Sequence, residues 1–434
     1  MKILHIVQNY YPSKGGTQIL FKEISERLVK IYGDEVIICT TNSYFGPEKK
    51  SFKAIALADE VVNGVTVKRF PIFRYHLPVF RFLNKLCILL KIDTNDFFSR
   101  YINGPLSTTM QKFIDDFDGD VICASSCNYL YMNYPLSKKA VKPFVFMGAI
   151  HFSEEVQYNP LLSGVLNAIK KSSFYIANTA FEKARLIGYG IKDDVIKVVG
   201  CGVDHKTFTS TLSVVDFKRK YKIGEGKVVG YVGRHVPSKG LVLLIEAMEI
   251  LWKKGEILQL IIAGSSSDYT KVLQKQKEKL GPYSSNVIFI SNFSDNEKVD
   301  IYNHIDVFVS VSTEESFGIV YLEAWACKKP VIGANIGAVR SVIDNNINGF
   351  LIDPANANEL ALKIEELCND PIKSWEMGLN GYNKVVQNYN WEIITKKYRN
   401  IYEQALYGTD NASKEALLVK DICFINDQQN DMKG

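Results

Sequence analysis

The chain has 434 residues, 47% of them apolar and 23% charged, with a formal net charge of +5. At roughly 150 residues per domain this is a globular protein with material for two or three cores. The positive balance is mild and does not point to a nucleic-acid binder, which would carry a concentrated basic face.

The chain opens on the apolar run Ile3 to Val7, ended by Gln8 and Asn9. The run is too short for a secretion signal, and nowhere does an apolar stretch approach the length of about 18 residues that spans a bilayer. The eight cysteines, Cys39, Cys87, Cys123 and Cys127 among them, are scattered, mostly in apolar runs, with no CxxC pair. They read as reduced core thiols of a cytoplasmic protein. Directly after the first strand comes Pro12-Ser13-Lys14-Gly15-Gly16-Thr17, then a helical pattern from Thr17 to Lys30. Paired glycines before a helix let a phosphate or a sugar approach the backbone, although a tight turn uses them equally.

Further strands are expected at Glu35 to Thr40, Val121 to Ala124, Phe144 to Phe146, Phe174 to Ala177 and Val195 to Val199. Unbroken apolar runs alternating with helices describe a parallel sheet covered on both faces. Residues 68–92 interrupt the alternation with six Lys or Arg, no acid, and interleaved Phe, Tyr and Leu. Two readings stand for them: a basic, apolar surface on an anionic membrane, or a buried helix with snorkelling cations. The acidic run Asp115-Asp116-Phe117-Asp118-Gly119-Asp120 precedes a strand, the wrong end for a cleft, and reads as a solvated loop. His151 follows the run Phe144 to Ile150, where a cleft residue belongs.

Gly200-Cys201-Gly202-Val203-Asp204 reads as a turn into a linker, and the pattern then restarts. Val228 to Val232 leads to a helix near Ser238 to Lys253, followed by strands at Leu258 to Ala263, Val287 to Ile290, Val307 to Val311 and Pro330 to Ile332. The expected organisation is two Rossmann-like, doubly wound domains facing across a cleft. Residues 1–205 form the first and 206–389 the second; a helix at 390–407 packs back on the first, and 408–434 form a loose tail.

Two constellations carry chemistry. Gly230-Tyr231-Val232-Gly233-Arg234 with Lys239-Gly240 ends a strand in a loop bearing two cations, which can neutralise a diphosphate. Glu315 to Glu323 begins after a strand, opens a helix through Gly318, and sets two carboxylates about two turns apart. That separation is too wide for an acid–base pair and suits a grip on both ends of one nucleotide sugar. Solvated surface charges remain the plain alternative for both. No close carboxylate pair for double displacement and no cluster with metal-ligand spacing is apparent.

In this order these residues resemble the GT-B glycosyltransferases of family GT4, the glycosyl transferases group 1, from Met1 to about Ala405. The carboxylate, seven residues and second carboxylate match Glu315 and Glu323; the diphosphate cations match Arg234 and Lys239; the N-terminal glycine loop matches Gly15 and Gly16. The resemblance implies that Glu315 contacts donor sugar hydroxyls, that Glu323 contacts the ribose, and that Phe317, Gly318 and Ile319 border sugar and phosphate. It places Asn292 and Phe293 beside the base, and His151 with Glu315, Arg234 and Lys239 at the reaction centre. Where the family shows an acidic residue after its Gly-Gly loop, Ser341 stands in Gly337-Ala338-Val339-Arg340-Ser341.

The implied activity is a retaining hexosyl transfer from a nucleotide-diphosphate sugar, without metal or other cofactor. The acceptor would be a glycan or lipid-linked molecule of surface polysaccharide, lipopolysaccharide or glycolipid synthesis. The implied location is cytoplasmic, with peripheral attachment to the inner face of the membrane through residues 68–92. Two rivals keep the fold: a sugar-nucleotide epimerase, which needs no acceptor, and a non-catalytic nucleotide-sugar-binding subunit.

Overall fold

The computed structural model describes residues 1–44, 54–92, 107–125, 141–150, 162–208 and 212–408, apart from residues 14, 57, 58, 74, 76, 91 and 149. The first half alternates β1 (Lys2–Ile6), α1 (Gly16–Tyr32), β2 (Glu35–Thr41), β3 (Glu60–Val62), β4 (Val65–Phe70), α2 (Leu77–Leu89), α3 (Thr108–Asp115), β5 (Val121–Ser125), β6 (Phe144–Met147), α4 (Leu162–Lys171), β7 (Phe174–Ala177), α5 (Ala180–Gly188) and β8 (Ile196–Val198). The second continues with α6 (Val214–Tyr221), β9 (Lys227–Val232), α7 (Leu241–Lys254), β10 (Leu258–Ala263), α8 (Asp268–Lys279), β11 (Val287–Ile290), α9 (Asp295–His304), β12 (Val307–Ser310), α10 (Ile319–Ala326), β13 (Val331–Ala334) and β14 (Gly349–Ile352). Three helices close the chain: α11 (Ala357–Asn369), α12 (Pro371–Lys384) and α13 (Trp391–Tyr407).

Among the described residues the strands form two sheets, one of order β3-β4-β2-β1-β5-β6-β7-β8 and one of order β11-β10-β9-β12-β13-β14. Every pairing is parallel except β3 with β4. The central strands are mostly apolar because helices cover both faces: all of β5 and all of β10 are buried. β4 is different. Its residues alternate between buried and half-buried, and it joins β3 through Asn63 and Gly64, both at positive φ. That is the turn chemistry of a two-residue hairpin. Lys68 and Arg69 therefore belong to a strand, and the helix of the basic segment begins only at Leu77.

The helix expected from Ser238 also starts later. Pro237 to Lys239 form a single 3-10 turn, and α7 runs from Leu241. Trp325, fully buried, anchors the second core: its ring N–H donates to Asn348 O at 2.9 Å, and a Cβ on Gly381 would come within 2.0 Å of it. Truncation of such a side chain costs about 3–5 kcal/mol.

The closing helix returns to the first half. Tyr402 on α13 contacts His5 Nε2 at 3.0 Å, and Arg399 pairs with Asp34 at 3.2 Å. The turn at Gly202 is knitted to the same helix: Val203 N–H donates to Tyr389 O at 2.8 Å, and a Cβ on Gly202 would lie 2.5 Å from the Trp391 ring. Of the described cysteines, Cys39, Cys123, Cys201 and Cys368 are buried thiols and Cys87 and Cys327 are half-buried. Cys127 lies outside the described residues.

Candidate active site

In the second sheet β9 lies between β10 and β12, so the chain order reverses there. Ligands of open parallel sheets bind beyond the carboxyl ends of the strands at such a reversal. Two loops leave β9 and β12 at that point, and they are stitched together. Tyr231 OH donates to Arg234 O at 3.0 Å, Tyr321 OH to Ser310 O at 2.7 Å, and Thr313 N–H to Ser238 O at 2.9 Å. Gly240 lies at φ 67°, and a Cβ there would come within 2.4 Å of Val311 O. Only glycine meets both the dihedral and the approach.

This stitching sets Lys239 Nζ 2.7 Å from Glu315 Oε2, with side chains only 18% and 15% exposed. The second cation of one sequence motif and the first carboxylate of the other are thus in contact. Arg234 stands exposed beside them, and among the described residues no ion pair engages it. Burial, and then the Glu315 charge, push the Tyr231 hydroxyl up from its ordinary value, so it remains a donor.

From Glu315 the chain reaches α10 through Gly318, whose φ of 98° caps the helix without a side-chain bond. The first amides of α10 are therefore directed toward the site. Phe317 behaves otherwise than its backbone. Its ring is buried against Tyr389, centroids 5.6 Å apart, and beside Gly200, so the side chain fills the seam between the halves. Ile319 faces the glycine loop of the first half: a Cβ on Gly16 would lie 3.8 Å from Ile319 Cδ1. Gly15 precedes it as the N-terminal cap of α1, again without a side-chain bond.

Glu323 carries two partners that the sequence motifs did not name. Lys298 Nζ lies 2.6 Å from Oε1, and Tyr302 OH donates to Oε2 at 2.7 Å. Both come from α9, which a capping box of Ser294 and Glu297 starts. Asn292, at φ 58°, and Phe293 form the link from β11 to that helix.

His151 and Lys14 lie outside the described residues. Ile150, just before the histidine, donates its N–H to Glu182 Oε1 at 3.2 Å. Ser341 faces the first half: its Oγ accepts from Phe181 N–H at 3.3 Å, and a Cβ on Gly337 would meet the Phe181 ring at 2.7 Å. The acidic run stays at the far end of the first sheet, where Asp118 and Asp120 hold Lys2 at the start of β1. Among the described residues no group of three or more His, Cys, Asp or Glu is placed to hold a metal ion.

On α2 no residue is buried. Phe82 is 66% and Leu89 78% exposed, and Val79, Leu86, Ile88 and Leu90 are exposed as well. The buried-helix reading of residues 68–92 therefore fails. Among the described residues no helix is long and apolar enough to cross a membrane.

Residues 215–384 match the model of the family described as glycosyl transferases group 1. The capsular polysaccharide biosynthesis glycosyltransferase CapM of Staphylococcus aureus is 31% identical over 228 residues, which are 50% of this chain and 57% of that protein. The poly(ribitol-phosphate) alpha-N-acetylglucosaminyltransferase of the same species is 25% identical over 421 residues, 89% of this chain and 82% of that one. In three dimensions the chain is similar to Anabaena HepE solved with UDP and glucose, at a TM-score of 0.70 and 22% identity, covering 92% of this chain and 98% of that one. Sucrose-phosphate synthase from Thermosynechococcus elongatus superposes with a TM-score of 0.71 at 20% identity, covering 94% and 100%. Residues 215–384 thus match the glycosyl transferases group 1 family, and the likeness that spans both sheets is to the GT-B fold.

Proposed function

We propose that this chain is a retaining, metal-independent hexosyltransferase. It takes the sugar of a nucleotide-diphosphate donor to a glycan or lipid-linked acceptor of surface polysaccharide or glycolipid synthesis. The observation that carries this reading is the contact of Lys239 with Glu315 at the chain reversal between β9 and β12. A cation suited to a diphosphate and a carboxylate suited to sugar hydroxyls stand one bond apart, beside the capless start of α10. The glycosyl transfer of the two Staphylococcus aureus proteins and the UDP in HepE support the same donor class.

In this reading the acceptor hydroxyl attacks the anomeric carbon on the face from which the diphosphate leaves. The new carbon–oxygen bond forms as the bond to the phosphate oxygen breaks. The hydroxyl proton passes to the departing diphosphate. Arg234, Lys239 and the amides after Gly318 hold the charge that develops there. Glu315 orients the sugar, and Glu323 the ribose. His151 belongs to the reading as a residue near the anomeric carbon. Gly15, Gly16 and Ile319 wall the sugar, and Asn292 and Phe293 the base.

Acceptor delivery at a membrane completes the proposal. Val79, Phe82, Leu86 and Leu89 follow helical spacing along one exposed face of α2, with Arg81 and Lys85 exposed beside them. An apolar stripe flanked by cations suits the interface of an anionic bilayer.

One assay tests the reaction. Transfer is measured in EDTA, with the anomeric configuration of the product read by NMR, for the unaltered protein, Lys239→Ala and Glu315→Ala. The expected result is an unchanged configuration at the transferred sugar and a rate lowered by about 100-fold or more in each variant. Near-normal turnover in both folded variants removes the assignment.

A further inference from the structure

The partners of Glu323 carry a further inference, which rests on the donor reading above. Lys298 and Tyr302 lie four residues apart on α9, so both side chains leave one face of that helix. Each takes one oxygen of the same carboxylate, at 2.6 and 2.7 Å. A carboxylate on an eight-residue helix could swing among rotamers; this one is clamped at both oxygens by a neighbouring element.

The clamp is built into the interior. The Glu323 side chain is 12% exposed, and Tyr302 is fully buried. Burial works against the Lys298 ammonium, but the charge and hydrogen bond of Glu323 outweigh it and the lysine is held above its ordinary value. Burial also drives the Tyr302 hydroxyl far up, so it always presents a proton to Oε2. Each oxygen of an ionised carboxylate has two acceptor directions. One donor per oxygen leaves a second direction open on both, which is the demand that a vicinal diol makes.

We propose that Lys298 is a positioning residue for nucleotide recognition, holding Glu323 oriented so that its two free acceptor directions meet the 2′- and 3′-hydroxyls of the donor ribose. α9 follows directly from Asn292 and Phe293 after β11. The clamp thus links the segment assigned to the base with the carboxylate assigned to the sugar of the nucleoside. Its effect belongs to donor binding and leaves the bond-breaking step alone.

The test is calorimetric titration. UDP, GDP and ADP are titrated into the unaltered protein, and the one that binds is compared with its 2′,3′-dideoxy counterpart. The same pair is then titrated into Lys298→Met, Lys298→Arg and Glu323→Gln, with thermal melts reporting that each variant is folded. The unaltered protein should prefer the ribose form by roughly tenfold or more, the worth of a hydrogen bond to a charged group. Lys298→Met and Glu323→Gln should lose that preference while binding the dideoxy form as the unaltered protein does. Lys298→Arg should restore much of it. In transfer assays Lys298→Met should raise the donor KM with little change in kcat.

A Lys298→Met protein that keeps the full ribose preference overturns the proposal and leaves the donor reading intact. Loss of affinity for both nucleotide forms alike also overturns it, because that is the signature of general damage to the site. Failure of all three nucleoside diphosphates to bind the unaltered protein overturns the donor reading, and this proposal with it.

Discussion

The loop beyond β9 and the helix α2 each carry two cations, yet the chain treats them in opposite ways. At the sheet reversal Lys239 is drawn into contact with Glu315, and backbone bonds from Thr313 and the tyrosine hydroxyls fix the loops that carry them. On α2 Arg81 and Lys85 stand exposed together with Val79, Phe82, Leu86, Ile88 and Leu89, and no residue is buried. Closed geometry is what a group needs if it must stabilise charge at one point in space. Exposed apolar surface of this extent is what a partner surface requires, since a folded chain gains nothing from leaving it wet. On the proposed reading, the difference separates a donor edge from a contact face.

The largest effect that could break this comparison is at the donor edge. Lys239→Ala or Glu315→Ala should each cost transfer about 100-fold or more, in proteins that thermal melts show to be folded. Equal loss of folding and activity would mean that the pair is structural. A smaller effect is expected on α2. Phe82→Glu with Leu86→Glu should abolish co-sedimentation with anionic vesicles at low salt, and should leave the melting transition within about 0.5 kcal/mol of the original. If the unaltered protein fails to sediment, the membrane reading of this face is wrong.

The smallest effect sharpens the comparison by asking how closed the first core is. His5 lies between Ser25 Oγ at 2.7 Å and Tyr402 OH at 3.0 Å, joining β1, α1 and α13. Burial lowers it from 6.5 to about 3. A folded value below the unfolded one means that the contribution is whole above pH 6.5 and is lost as pH falls toward 3. The His5→Asn protein should show a flatter fall of stability across that window, by at most about 1.4 kcal/mol per pH unit. Identical slopes would show that the histidine takes up its proton without opening the core.

Much of the fold was legible because buried parallel strands leave an unbroken apolar trace. β1, β5, β7 and β10 stand where their runs predict. The β3–β4 hairpin was passed over although Asn63-Gly64 announces it, because the basic and aromatic content of residues 68–92 drew that stretch into a single segment. β14 was passed over because it starts on Gly349, straight after the turn-like run Asp344-Asn345-Asn346-Ile347-Asn348, which reads as loop. At the candidate site the motif residues were readable as types, but their contacts were not. That Lys239 meets Glu315 depends on strand order, which brings β9 beside β12 across 75 intervening residues. Lys298 and Tyr302 were invisible for a related reason: nothing local marks two residues of α9 as partners of a carboxylate on α10. The i,i+4 spacing of a lysine and a tyrosine behind a capping box was the only trace they left.

Hydrogen exchange with and without donor addresses the central claim most directly. Unaltered protein is exposed to deuterium with saturating UDP-, GDP- or ADP-sugars, and amide uptake is followed by peptide. One donor should slow exchange in Gly233 to Gly240 and in Phe317 to Tyr321, with no comparable change in 77–90. Slowing confined to the wedge of Arg27, Asp204, Lys206 and Glu392 between the halves, or none with any donor, would contradict a donor site at the reversal between β9 and β12.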